Sequence, residues 1–195
     1  MRSIEPFIKN VTDKINLSQA DLDKLIAAFK EVRVARKQFV IQPGFVARNR
    51  MYVLKGAFRS YVIDEKGNDC TIQFAIEDWW ISDYNSYIYQ TPATQFVEAL
   101  EDSVVMQINY QDEKDLKASS HELETLFRMM AEKSAAFYAR RIISNLTQNA
   151  EQRYNEFIEK YPEVVQRLPQ YALASYLNMT REFLSRIRHD KVKKK

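Results

Sequence analysis

Residues 170–189, QYALASYLNMTREFLSRIRH, constrain the chain more tightly than any other stretch. Apolar residues fall at Leu173, Leu177, Met179, Leu184 and Ile187, with Ala174 one turn before Asn178. That spacing predicts two short helices joined by a sharp turn. Ala174 is the expected crossing point, because only a small side chain lets two helix backbones approach, and Asn178 stands where the turn needs a left-handed residue. Thr180 is the expected N-cap of the second helix, with Glu182 in its first turn at the positive end of the dipole. The second helix then starts at Arg181 and buries Leu184 and Ile187, which leaves Arg181, Glu182, Ser185, Arg186 and Arg188 pointing outward. The pattern is a helix-turn-helix with a polar reading face rich in forked donors. An ordinary helical hairpin with a solvated outer face is the competing reading.

Charge separates the two readings. From 180 to 195 the chain carries seven Lys or Arg and two Asp or Glu, a net of +5, whereas the whole chain is only +3, so residues 1–179 sum to −2. Positive charge is concentrated on the last helix and the tail, as a phosphate-contacting edge requires. Contacts to double-stranded DNA are therefore expected from Thr180, Arg181, Glu182, Ser185, Arg186 and Arg188, joined by Lys191, Lys193 and Lys194.

At 195 residues and 46 % hydrophobic content, one large domain or two small ones can be supported. Cys70 is the only cysteine, which forbids an internal disulfide or a multi-cysteine metal site, and it reads as a small strand residue. The only histidines are His121 and His189, so a metal-dependent barrel enzyme lacks its ligands. No nucleophile–base pair stands out, and glycine occurs only at 44, 56 and 67, too sparsely for a phosphate loop. An enzyme, a metal and a cofactor are all unexpected. Residues 1–16 are interrupted by charges and no apolar run reaches about 18 residues, so a cytoplasmic protein without a membrane span is expected.

In chain order, Ser18 with Asp21, then Leu22, Leu25, Ile26, Phe29 and Val32, predicts a capped amphipathic helix of about 14 residues. Short runs rich in Val, Ile, Phe and Tyr at 38–42, 50–55, 57–63, 70–75, 95–100 and 104–108 predict strands, punctuated by Pro43-Gly44, Gly56 and Gly67. Such spacing indicates an antiparallel sandwich or barrel. Leu116, Leu123, Met130 and Phe137 then lie seven apart, on a helix of roughly 25 residues from Ser119. That seam is the expected dimer contact, the alternative being that it covers its own barrel. Residues 150–161 form another helix stopped by Pro162, and Leu168-Pro169 leads into the helix-turn-helix. The expected fold is α+β: an antiparallel jelly-roll barrel over 1–117, a dimer helix over 118–147 and a helical DNA-binding domain over 148–195.

This order resembles the Crp/Fnr superfamily of bacterial transcription regulators. Residues 37–44 (KQFVIQPG), Tyr52-Val53-Leu54-Lys55-Gly56, the turn Asp64-Glu65-Lys66-Gly67, and Pro92 followed by 97–100 are similar to the cyclic-nucleotide-binding barrel. Thr180-Arg181-Glu182 with Arg186 matches the family's recognition-helix pattern, Arg-Glu-x-x-x-Arg. The resemblance implies a homodimer whose two recognition helices enter successive major grooves, with RNA polymerase as a further partner. It implies that the two Arg and the Glu read base edges, Arg on guanine and Glu on cytosine.

The sequence departs from the family in two places. Nucleotide-binding members hold the cyclic phosphate with a short helix opening in Gly-Glu and with an Arg just after a Pro. Here the matching residues are Trp80-Ile81-Ser82-Asp83, and Ala93 follows Pro92. With no Arg to pair with a phosphate and Asp83 to repel it, control by cyclic AMP is not expected. What remains as an effector pocket is Trp80, Ser82, Asp83, Tyr84, Ala93 and Thr94, for an effector of unknown identity. The aromatic set Trp79, Trp80, Tyr84, Tyr87 and Tyr89 either lines that pocket or packs as core. Where the family carries a two-stranded wing after the recognition helix, this sequence has Lys193-Lys194-Lys195, a basic tail expected to take over some of the wing's phosphate contacts. An iron–sulfur sensor is excluded, since it needs about four cysteines. The other reading of the whole chain is a ligand-binding or protein-interaction module on the same barrel, without DNA readout.

Overall fold

The computed structural model describes residues 4–193. The chain forms two compact units, Met1–Ser60 with Phe74–Ala135, and Tyr61–Gln73 with Ala136–Lys195.

The first unit opens with helices α1 (Glu5–Thr12) and α2 (Gln19–Ala28). Eight strands follow along the chain: β1 (Lys30–Val34), β2 (Phe39–Ile41), β3 (Asn49–Lys55), β4 (Phe58–Ile63), β5 (Asp69–Ala75), β6 (Trp80–Ile81), β7 (Phe96–Ala99) and β8 (Ser103–Asn109), with the short helix α3 (Tyr84–Tyr89) between β6 and β7; the end of β4 and most of β5 belong to the second unit. Helices α4 (Tyr110–Ser119) and α5 (His121–Thr147) come next. The strands make two four-stranded sheets, ordered β1-β8-β3-β6 and β2-β7-β4-β5. The expected barrel thus takes the form of two sheets closed over one core. Val34, Met51, Val53 and Val105 enter that core from the first sheet, and Ile41, Phe58, Val97 and Ala99 from the second. Alternation along β8 sends Met106 and Ile108 to the opposite face, where with Tyr52 they meet Phe7, Val11, Leu25, Phe29, Leu116, Leu123, Leu126 and Phe127 of the covering helices.

Gly56 shows why this roll tolerates so little glycine replacement at its tight corner. It sits at φ +113°, and a Cβ there would come within 2.0 Å of Ser103 Oγ and 2.8 Å of Ser103 Cα. Only glycine combines that dihedral with that approach.

Three points differ from expectation. The helix capped by Ser18 stops at Ala28, not near Val32: Ser18 Oγ accepts the Asp21 N–H at 3.1 Å as expected, but Lys30–Val34 pairs in antiparallel register with β8. Alternating Val32 and Val34 can serve either period, and the free edge of β8 decides. The two-residue β6 carries too little pattern to be legible. The seven-residue seam is the third. Leu116 lies in α4 rather than on the long helix, Leu116 and Leu123 are buried within their own unit, and Met130 packs against the same cluster. Leu116 and Leu123, with Met130 against them, cover their own sheet, whereas Phe137 lies in the second unit, half-buried and outside that cluster.

Besides Tyr61–Gln73, the second unit contains the last turns of α5, then α6 (Ala150–Lys160), α7 (Pro162–Arg167), α8 (Gln170–Tyr176) and α9 (Arg181–Lys193). Asn149 and Gln152 form a reciprocal capping box at the start of α6, and Pro162 ends that helix by occupying the first turn of α7. Tyr154, Phe157, Val164, Leu168, Leu173, Leu177, Leu184 and Ile187 are buried.

Tyr176 in this unit provides a pH test. Burial pushes its phenol up to about 12, against the opposing pull of the Arg141 guanidinium. An unfolded tyrosine releases its proton near pH 10, so between about 10 and 12 the unfolded chain is stabilised first and folding stability falls by up to roughly 2–3 kcal/mol. Urea midpoints followed across that window should decline, and Tyr176→Phe should make the decline shallower.

Candidate nucleic-acid interface

Helix α8 ends in a left-handed cap. Asn178 has φ 53°, its N–H donates to Ser175 O at 3.1 Å, and the Met179 N–H donates to Ala174 O at 3.0 Å. These are the two bonds of a Schellman motif, and they consume carbonyls that a helix end would otherwise leave bare. Ala174 is 1 % exposed, small enough to let the two helices close on each other. Helix α9 then begins as expected at Arg181: Thr180 Oγ1 accepts the Phe183 N–H at 3.2 Å, and Thr180 O accepts the Leu184 N–H at 3.1 Å.

Leu184 and Ile187 anchor α9 from below, at 0 % and 7 % exposure. Thr180, Arg181, Glu182, Ser185, Arg186 and Arg188 are all exposed. The two arginines of the pattern lean on aromatic rings, Arg181 5.2 Å from the centre of Tyr171 and Arg186 4.9 Å from that of Phe183. Stacking restricts each guanidinium while its N–H fork stays available. Glu182 is held below the usual carboxylate range, chiefly by its own backbone N–H and by the Thr180 hydroxyl. The face therefore presents a fixed anion beside two oriented cations. Lys191 and Lys193 fall in the last turn of α9, where side chains are not described, and Lys194 lies outside the described residues.

Sequence reasoning missed the groups that hold this motif in place. Arg153 of α6 donates from Nε to Leu177 O at 3.0 Å and from Nη2 to Asn178 O at 3.3 Å, which ties the turn to the helix beneath. Arg141 of α5 donates from Nη2 to Thr71 O at 2.8 Å and to Tyr176 O at 3.3 Å, and from Nη1 to Ile72 O, with its guanidinium 4.3 Å from the Tyr176 ring centre. The Ser175 hydroxyl accepts the Thr71 N–H at 2.8 Å and donates to Asp69 O. Long-range bonds from side chain to backbone leave no spacing signature; only the density of Arg in a largely apolar stretch hints at them.

No family model matches the sequence, and no curated protein matches it. Solved structures do. The c-di-GMP responsive regulator CLP from Xanthomonas campestris superposes with a TM-score of 0.72 at 12 % identity, over 91 % of this chain and 93 % of that one. FixK2 from Bradyrhizobium japonicum gives 0.74 at 15 % identity, over 85 % of each chain. A putative transcriptional regulator of the Crp/Fnr family from Eubacterium rectale gives 0.67 at 14 % identity, over 91 % of this chain and 85 % of that one. The fold is that of the Crp/Fnr regulators.

Of the residues expected to hold an effector, Ser82, Asp83 and Ala93 are buried, Trp80 and Tyr84 are half-buried, and Thr94 is exposed. Asp83 is 0 % exposed and caps α3, its Oδ1 accepting the Ser86 N–H at 3.1 Å. Its Oδ2 accepts the Thr94 N–H at 2.9 Å and the Gln95 N–H at 3.1 Å. The carboxylate occupies the backbone donors just past Pro92. Ser82 donates to Asn49 O at 3.1 Å, and Ala93 is buried in the inner core. Trp80 packs on the outer cluster, 5.4 Å from Tyr52 and 6.3 Å from Phe7 between ring centres. Trp79, Tyr84 and Tyr87 pack in or against the inner core, so of the aromatic set only Tyr89 is exposed. Among the described residues, no group of three His, Cys, Asp or Glu is placed to hold a metal ion, and no helix is long and apolar enough to cross a membrane.

Proposed function

We propose that this chain is a homodimeric, sequence-specific DNA-binding transcription regulator that does not respond to cyclic AMP. The observation that carries the reading is α9: a helix pinned by Leu184 and Ile187, with Arg181, Glu182 and Arg186 exposed on its other side. Bidentate arginine on guanine and carboxylate on cytosine are the pairings such a face makes in a major groove. Selection from a random duplex library should return a two-fold-related site bound with an affinity that falls steeply as salt rises. A flat salt response would favour docking on another protein. Arg181→Ala or Arg186→Ala should each lose roughly 1–3 kcal/mol of discrimination at one base pair, whereas removing Lys193 to Lys195 should weaken all sequences alike. Equal losses on specific and random duplexes would refute the recognition-helix assignment.

The dimer is proposed on a different face of α5 from the one expected. Ala136, Ala139, Ile143 and Leu146 repeat at intervals of three, four and three and are exposed, with Ile142 beside them. Ile142 and Ile143 are each 59 % exposed and Leu146 is 80 %. Apolar side chains at coiled-coil spacing, left in water by their own unit, fit a second copy of the same helix. Charging that seam places two unpaired carboxylates per helix against apolar neighbours, a cost of several kcal/mol. Ile143→Asp with Leu146→Asp should therefore sediment as a monomer with the first unit still folded. A wild-type monomer at about micromolar concentration would refute the seam.

A further inference from the structure

The roll contains a cavity that none of the expected effector residues lines. It measures about 690 Å³ and lies between β1, β3 and β8 on one side and β2 with residues 42–48 on the other. That volume falls within the range of pockets that enclose small organic ligands. Val32, Val34, Ile41, Met51 and Val105 supply its apolar surface. Set among them are Lys37, Arg48, Asn49 and Gln107, and no Asp or Glu lines the cavity.

Two details show that the polar part suits a ligand better than it suits the fold. The period of β8 directs Val105 inward and Met106 and Ile108 outward, so Gln107 takes an inward position where an aliphatic side chain would be the ordinary choice. Its amide makes no hydrogen bond among the described residues, and neither Lys37 nor Arg48 makes an ion pair among them. Lys37 also stands at φ 66°, an unfavourable dihedral for a residue with a Cβ, held by its N–H bond to Ala99 O at 2.7 Å. The backbone thus holds a cation at the rim in a conformation with a steric cost and no internal partner.

We propose that this cavity binds an organic carboxylate with an aliphatic or aromatic body, its apolar part on the valines and Met51 and its carboxylate on Arg48 and Lys37. Two unpaired cations with no opposing acid select an anion, and the breadth of apolar wall disfavours a phosphate-rich one. The Asp83 region is not involved, and the proposal does not depend on DNA binding.

Octanoate is a suitable probe, tested by titration calorimetry on the full-length protein. One site per chain is expected, with a dissociation constant of the order of tens to hundreds of micromolar for a ligand of this size. The uncharged analogue 1-octanol should bind at least about tenfold more weakly. Arg48→Ala combined with Lys37→Ala removes two exposed side chains, should leave the melting temperature of the free protein unchanged, and should weaken octanoate by at least about tenfold without changing octanol. No saturable heat up to about 1 mM octanoate would overturn the proposal, as would octanol binding as tightly as octanoate or a double variant that binds octanoate like the wild type.

Discussion

Glu113→Ala should cost the first unit about 3–5 kcal/mol, the largest loss expected from any single side chain on its surface-distant helices. Glu113 is 2 % exposed and Arg50 5 %, and Glu113 Oε2 lies 2.6 Å from Arg50 Nε. The Tyr87 hydroxyl donates to the same carboxylate oxygen at 2.8 Å, and Lys117 Nζ lies 2.6 Å from Oε1. The Arg50 contact is close but off the N–H axis, and Nη2 also lacks a hydrogen bond. What remains to hold the guanidinium is Coulomb attraction and the faces of Trp80 and Phe127, each 4.9 Å away. Removing the carboxylate leaves a buried cation with no counter-ion, which is far costlier than never having charged the site. Chemical denaturation should therefore show a large loss for Glu113→Ala and a substantial recovery when Arg50→Met is combined with Glu113→Leu. A loss below about 1 kcal/mol would show that water already reaches the pair.

Asp83→Ala should be nearly as damaging, at roughly 2–4 kcal/mol, because three backbone N–H groups lose their common, buried acceptor. Ser86, Thr94 and Gln95 are those donors. The variant offers a diagnostic that an ordinary core mutation does not: inorganic phosphate should raise its melting temperature more than that of the wild type, since the freed donors suit an anion. Wild-type protein titrated with cyclic AMP at about 100 µM should give no saturable heat. A stoichiometric heat would mean that Asp83 yields its place.

Local chemistry made much of this legible in the sequence. Thr180, Asn178 and Ala174 each perform a job fixed by backbone geometry within a few residues, and each sits as expected. The strand runs were legible for the same reason, since alternation follows from the pleat itself. What escaped was whatever depends on a distant neighbour. Val32 could serve a helix or a strand until β8 supplied an edge. The repeat of Leu116, Leu123 and Met130 was visible, yet the Phe7 and Phe29 of the cluster it joins lie about a hundred residues away in sequence, and the exposed repeat through Ile143 and Leu146 was overshadowed by it. Arg141 and Arg153 looked like ordinary helical cations, because the carbonyls they serve belong to other elements. Asp83 was read as a charge that would repel a phosphate; its bonds show a carboxylate already seated on backbone donors.

That seating has a consequence for how the α3 entry can be addressed at all. Its amides are supplied with an anion by the same message that encodes them, in a ratio of one to one, before any metabolite is made. A competitor from solution must displace a group whose local concentration is fixed by a covalent tether at the order of millimolar or above, and which cannot be washed away or degraded. Any anion that enters this corner must first displace the Asp83 carboxylate from the Ser86, Thr94 and Gln95 amides.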